Sequence, residues 1–65
     1  MSRPVTGTAA SAGGLDGLVD ATNGRACDPR GRWARWHSGR PEEDWSRYRD
    51  AYFAAYVVAG KAARA

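Results

Sequence analysis

The chain has 65 residues, one cysteine and a formal net charge of +3, which bounds it to one small domain near the lower limit at which a hydrophobic core holds without staples. Cys27 has no second cysteine to pair with, so the disulfide framework of a small secreted scaffold is excluded. The first fourteen residues lack the apolar stretch of a signal peptide, and the uncharged apolar run Ala51 to Gly60 is too short to span a bilayer. The expectation is a non-exported protein of a reducing cytoplasm.

The apolar share of 43% conceals a thin stock of large side chains: 13 residues are alanine, isoleucine is absent, and Leu15 and Leu18 are the only leucines. All seven aromatics lie from Trp33 to Tyr56, so any core is aromatic. Charge is just as uneven. Residues 1–24 set Arg3 against Asp16 and Asp20, residues 42–65 are balanced, and residues 25–41 hold Arg25, Arg30, Arg32, Arg35 and Arg40 against Asp28 alone. Nine arginines to one lysine, with abundant Ala and Gly, is what a GC-rich coding sequence produces, which discounts the arginines as a functional signal.

Residues 1–14 are small, polar and without periodicity, and are expected to form a disordered tail, since they bury too little to offset the entropy of ordering them. Residues 15–65 then make a single small helical domain. Leu15, Leu18, Val19 and Thr22 recur at i, i+3, i+4 and i+7 before an Asn23-Gly24 stop. Two readings are open here: a short helix weakened by Gly17, or a loop with three buried apolar anchors.

Asp28-Pro29-Arg30-Gly31 reads as a turn and Ser38-Gly39-Arg40-Pro41 as a second break. Between them Gly31 to His37 has room for about two helical turns, with Trp33, Trp36 and His37 on one face and Arg32 and Arg35 to the side.

The last segment carries the clearest pattern, a helix over about 41–63. Pro41 suits the first helical position, Glu42, Glu43 and Asp44 load the positive end of the dipole, and Lys61 and Arg64 load the negative end. Trp45, Tyr48, Tyr52, Ala55, Tyr56, Ala59 and Ala63 form a core-facing stripe flanked by Phe53. Ser46, Arg47, Asp50 and Lys61 make the opposite face, with Glu43–Arg47 and Arg47–Asp50 as expected ion pairs. Val57 and Val58 interrupt that polar face and suggest a second contact. The fold class is therefore all-α: one long C-terminal amphipathic helix with one or two short helices packed on it.

Within the chain only Leu15, Leu18, Val19, Cys27, Trp33 and Trp36 are available to cover the aromatic stripe. That meagre supply leads to the functional expectation: a small non-enzymatic accessory or regulatory protein that binds a protein partner, or itself, through Trp45, Tyr48, Tyr52, Phe53, Tyr56 and Val57, residue types enriched in interface hot spots. The alternative is nucleic-acid binding by Arg25, Arg30, Arg32, Trp33, Arg35, Trp36 and Arg40, guanidinium groups reaching phosphates and indoles stacking on bases. A polar face balanced in charge argues against a membrane-surface helix.

Enzyme signatures are missing. There is no Gly-rich phosphate loop, no G-x-S-x-G and no H-E-x-x-H, and nothing in the spacing sets Cys27 and His37 as nucleophile and base. One Cys and one His, with Asp28 as a third donor, supply at most part of a metal site. No metal, cofactor or small-molecule substrate is expected.

Overall fold

A computed structural model describes residues 8–37 and 39–64, without the side chains of residues 63 and 64. The described residues form α1 (Ala9–Thr22), α2 (Pro29–Trp36), a 3-10 turn (Glu42–Asp44) and α3 (Trp45–Arg64). This is the all-α arrangement read from the sequence, a long C-terminal helix with two shorter ones packed on it. No helix among the described residues is long and apolar enough to cross a membrane.

The N-terminal boundary differs from expectation. Residues 9–14, read as tail, are the first turns of α1, while residues 1–7 lie outside the described residues. The Thr8 side chain caps the helix by accepting from the Ser11 N–H at 3.0 Å, satisfying one of the orphan donors of a helix start. At the other end Asn23 Nδ2 donates to the Val19 carbonyl at 2.9 Å, and Gly24 takes φ +71°, a left-handed exit suited to glycine. The loop reading of residues 15–22 is thereby set aside.

The face that α1 buries also differs. Its buried residues are Ala9, Gly13, Gly17 and Asp20, whereas Leu15 and Leu18, expected as anchors, are 61% and 48% exposed. The reason is the closeness of α3. A Cβ at Gly13 would overlap the Tyr48 carbonyl, and one at Gly17 the Tyr52 carbonyl. The ridge Ala9-Gly13-Gly17, spaced four apart, lets the two backbones touch, and leucine has no room there. Because Gly13 meets Tyr48 and Gly17 meets Tyr52, the contact advances along both chains in one direction: α1 and α3 are parallel.

Parallel neighbours need a return segment, and α2 provides it. Asp28, expected inside a turn, instead caps α2 by accepting from the Gly31 N–H at 3.0 Å, with Pro29 at the first helical position. Arg32 reaches Asp20, and His37, five residues later, reaches Asp16, so α2 runs antiparallel to α1. Ser38, within the second expected break, lies outside the described residues.

At the start of the long helix, Pro41 is the residue before the first turn and not its first member. Glu42–Asp44 form one 3-10 turn, and α-geometry begins at Trp45. The three acids still sit where the dipole favours them, but the ion pairs differ from expectation: Arg47 pairs with Asp44 at 3.3 Å and Arg49 with Asp50 at 3.0 Å.

Tyr48 and Tyr52 are fully buried, and Trp33 and Ala9 nearly so, with Ala12, Trp45 and Tyr56 packed around them. The Trp33 ring lies 5.2 Å from Tyr48 and 5.5 Å from Trp45. Burying the three large rings contributes about 1.5–3 kcal/mol each. The centre of the aromatic stripe is thus covered within the chain, by a ridge of small residues on one side and Trp33 on the other. Trp36, expected beside Trp33, is 64% exposed. Ala63, the last member of the stripe, falls among the side chains that are not described.

Candidate functional site

The four-residue step that brings α1 and α3 together is written twice in α1, as Gly13-x-x-Asp16 and Gly17-x-x-Asp20, and answered in α3 by Tyr48, Tyr52 and Tyr56. Each glycine admits the α3 backbone, and the aspartate three residues on receives the tyrosine hydroxyl. Tyr48 donates to Asp16 Oδ2 at 2.5 Å and Tyr52 to Asp20 Oδ2 at 2.5 Å. The Tyr52 oxygen also accepts from the Asp28 N–H at 3.2 Å, and the Tyr56 hydroxyl donates to the Arg25 carbonyl. All three helices are tied through these phenols.

α2 closes the network from the other side. Arg32 Nη2 donates to Asp20 Oδ1 at 2.6 Å, and its Nε reaches both carboxylate oxygens at 3.2 Å. His37 Nε2 lies 3.1 Å from Asp16 Oδ2, and Arg40 Nε donates to His37 Nδ1 at 3.4 Å. Asp20 is 3% exposed, and a carboxylate so buried keeps its charge only with such donors. The Arg32 hydrogen bonds hold its pKa below the ordinary carboxylate value against the opposing effect of desolvation, with help from Tyr52. Burial, then the hydrogen bond to Asp20, pushes Tyr52 up to about 12; burial and Asp16 push Tyr48 higher still.

Chemically this network is occupied with itself. The two His37 ring nitrogens face Asp16 and Arg40. Cys27 is exposed, but its thiol is raised above its ordinary pKa, first by partial desolvation and then by Asp28 and Asp20, the opposite of what activates a nucleophile. Among the described residues no three His, Cys, Asp or Glu side chains converge as metal ligands.

The residues expected to bind a protein partner separate into three groups. Tyr48 and Tyr52 are wholly inside, Trp45 and Tyr56 are half-buried at the core's edge, and Phe53 and Val57 are exposed. The Arg/Trp set separates as well. Trp33 is core, Arg32 is bound to Asp20, Arg40 approaches His37, and the Arg30 guanidinium carbon lies 4.2 Å from the Trp45 ring centre. Arg25, Arg35 and Trp36 remain together, lining an open cleft of about 320 Å³ floored by the Asp20–Arg32 pair.

A second surface follows from the helix geometry. α2 covers one side of the α1–α3 pair. At about 100° per residue, the other side presents Ala10, Gly14, Leu18 and Ala21 of α1 and Ala51, Ala54 and Val58 of α3. Leu18 and Val58 are 48% and 67% exposed, a Cβ at Gly14 would meet nothing within 4 Å, and the charges of Arg47 and its ion-pair partner Asp44 offset each other along this side. Comparison with known protein families, with curated proteins and with solved structures finds no match to this chain.

The residues that sequence reasoning missed are Gly13, Asp16, Gly17 and Asp20. Their signal is the repeat G-x-x-D-G-x-x-D set against Y-x-x-x-Y-x-x-x-Y. Hydrophobic periodicity does not register it, because none of the α1 members is hydrophobic.

Proposed function

We propose that this chain is a small non-enzymatic binding protein of the cytoplasm that works by protein contact, docking an apolar helix of a partner, or of a second copy, on the uncovered side of its α1–α3 pair. The observation that carries this is the placement of Leu18 and Val58. Two aliphatic side chains flank a shallow trough of Ala and Gly that is nearly free of charge, on a chain in which 26% of residues are charged. Helix-in-groove recognition uses this combination, with small residues allowing close approach and aliphatic anchors beside them. The contact thus shifts from the centre of the aromatic stripe, which the chain itself covers, to the sides left outside.

The test is mass in solution combined with capture from the native host, for the wild type and for Leu18→Glu and Val58→Glu. A dimer, or a captured partner, that both substitutions abolish while circular dichroism stays unchanged supports the reading. A monomer at high concentration with no captured partner removes it, as does a complex indifferent to both charges.

A further inference from the structure

The cleft lined by Arg25, Arg35 and Trp36 lies on another part of the molecule from the docking trough and is independent of it. Of the five arginines in residues 25–41, three have visible tasks: Arg32 holds Asp20, Arg30 lies over the Trp45 ring, and Arg40 meets His37. Arg25 and Arg35 are exposed and, among the described residues, form no ion pair or side-chain hydrogen bond. The two carboxylates that line the same cleft are engaged, Asp20 by Arg32 and Tyr52, Asp28 by the Gly31 N–H. With Asp20 and Arg32 cancelling each other, Arg25 and Arg35 stand against Asp28 alone, so the net charge of the cleft is positive.

Trp36 adds the second element. Its indole is 64% exposed and makes no ring contact among the described residues, unlike Trp33 and Trp45. It stands at the end of α2, beside Arg35, and also borders a second depression formed with His37, Gly39 and Arg40. Core packing explains Trp33; it does not explain a bare indole between two guanidinium-lined hollows. A cleft of about 320 Å³ falls at the small end of ligand sites, which run from about 300 Å³ upward, a size for one planar ring with its phosphate.

We propose that this cleft binds single-stranded nucleic acid one nucleotide at a time, the base stacked on Trp36 and the phosphate held by Arg25 and Arg35. Stacking on an exposed aromatic is tolerant of sequence, and phosphate contacts make the affinity depend on salt. A duplex keeps its bases stacked inside and offers Trp36 nothing. The single strand is thus the form that uses both halves of the site.

The experiment is fluorescence anisotropy of the full chain with a labelled oligothymidylate of about ten nucleotides at low salt, with the matching duplex and inorganic polyphosphate as competitors. Trp36→Ala is expected to weaken binding about tenfold or more, with Trp36→Phe retaining most of the affinity. Arg25→Gln and Arg35→Gln are each expected to lower the slope of log affinity against log salt by about 0.7. All three positions are exposed, and circular dichroism verifies that each of the four variants is folded. No binding at low salt overturns the proposal. So does binding that polyphosphate or the duplex displaces equally well and that Trp36→Ala leaves unchanged, since that is attraction to any polyanion.

Discussion

The two faces of α1 contradict each other by ordinary hydropathy. The inner face, Ala9, Gly13, Asp16, Gly17 and Asp20, is small or acidic and is buried or half-buried; the outer face carries the chain's only leucines in the open. Burial in this helix follows fit to the tyrosines of α3 and to their hydroxyls, and hydrophobicity comes second. The sharpest way to break the comparison is Gly17→Val. Its branched side chain would strike the Tyr52 carbonyl, which belongs to a helix backbone and cannot swing aside as a side chain can. Overpacking of this kind costs about 1–3 kcal/mol or more, against the roughly 3–5 kcal/mol that a core of this size supplies. We expect loss of cooperative thermal unfolding followed by circular dichroism; an unchanged melting curve would mean that α1 and α3 are not in contact at Gly17.

Asp20→Ala attacks the polar half of the same face. It leaves the Arg32 guanidinium without its bidentate partner and Tyr52 without its acceptor, a loss of about 3–5 kcal/mol for one partner of a buried pair. Chemical denaturation should show most of the stability gone. Acid acts on the same carboxylate more gently. The folded-state pKa of Asp20 is depressed, so its contribution is complete above the unfolded value of about 4 and is lost as pH falls through the lower folded value. Wild-type stability is expected to drop in that window, and Asp20→Asn, which carries no titrating carboxylate there, should show a shallower acid limb. Equal acid limbs in the two proteins would place the acid sensitivity elsewhere.

What was legible in the chain follows from the same contrast. The long helix could be read because its aromatic stripe, its terminal acids and its terminal bases all point one way, and the existence of α2 could be read because two breaks enclose it. The Asp28-Pro29 pair was visible but ambiguous, as a turn and a capped helix start share those residues. The beginning of α1 was not legible by hydrophobic period: alanine, glycine and serine from Ala9 to Gly14 carry no apolar signal, and their value lies in what they omit. Asp16 and Asp20 are read as surface charges on any hydropathy scale. Only the matching four-residue steps in α1 and α3 connect them to Tyr48 and Tyr52, and that match is a property of two distant segments together. The cleft at Arg25, Arg35 and Trp36 was half legible, since composition marks the arginines but does not say which of them the fold ties down.

The outer face of α1 should give the smallest effect on folding and the most informative one on association. Leu15→Ala and Leu18→Ala remove side chains that touch little in the isolated chain, so each is expected to change monomer stability by less than about 0.5 kcal/mol, as exposed substitutions do. If α1 is covered in the working protein, Leu18→Ala should nevertheless weaken that association by a factor of about 10, because truncating an interface anchor costs more than about 1 kcal/mol. Measuring the two quantities on one variant separates the faces. A leucine that matters to folding would belong to the core that the glycines otherwise make, whereas one that matters only to mass in solution belongs to a surface waiting for a helix.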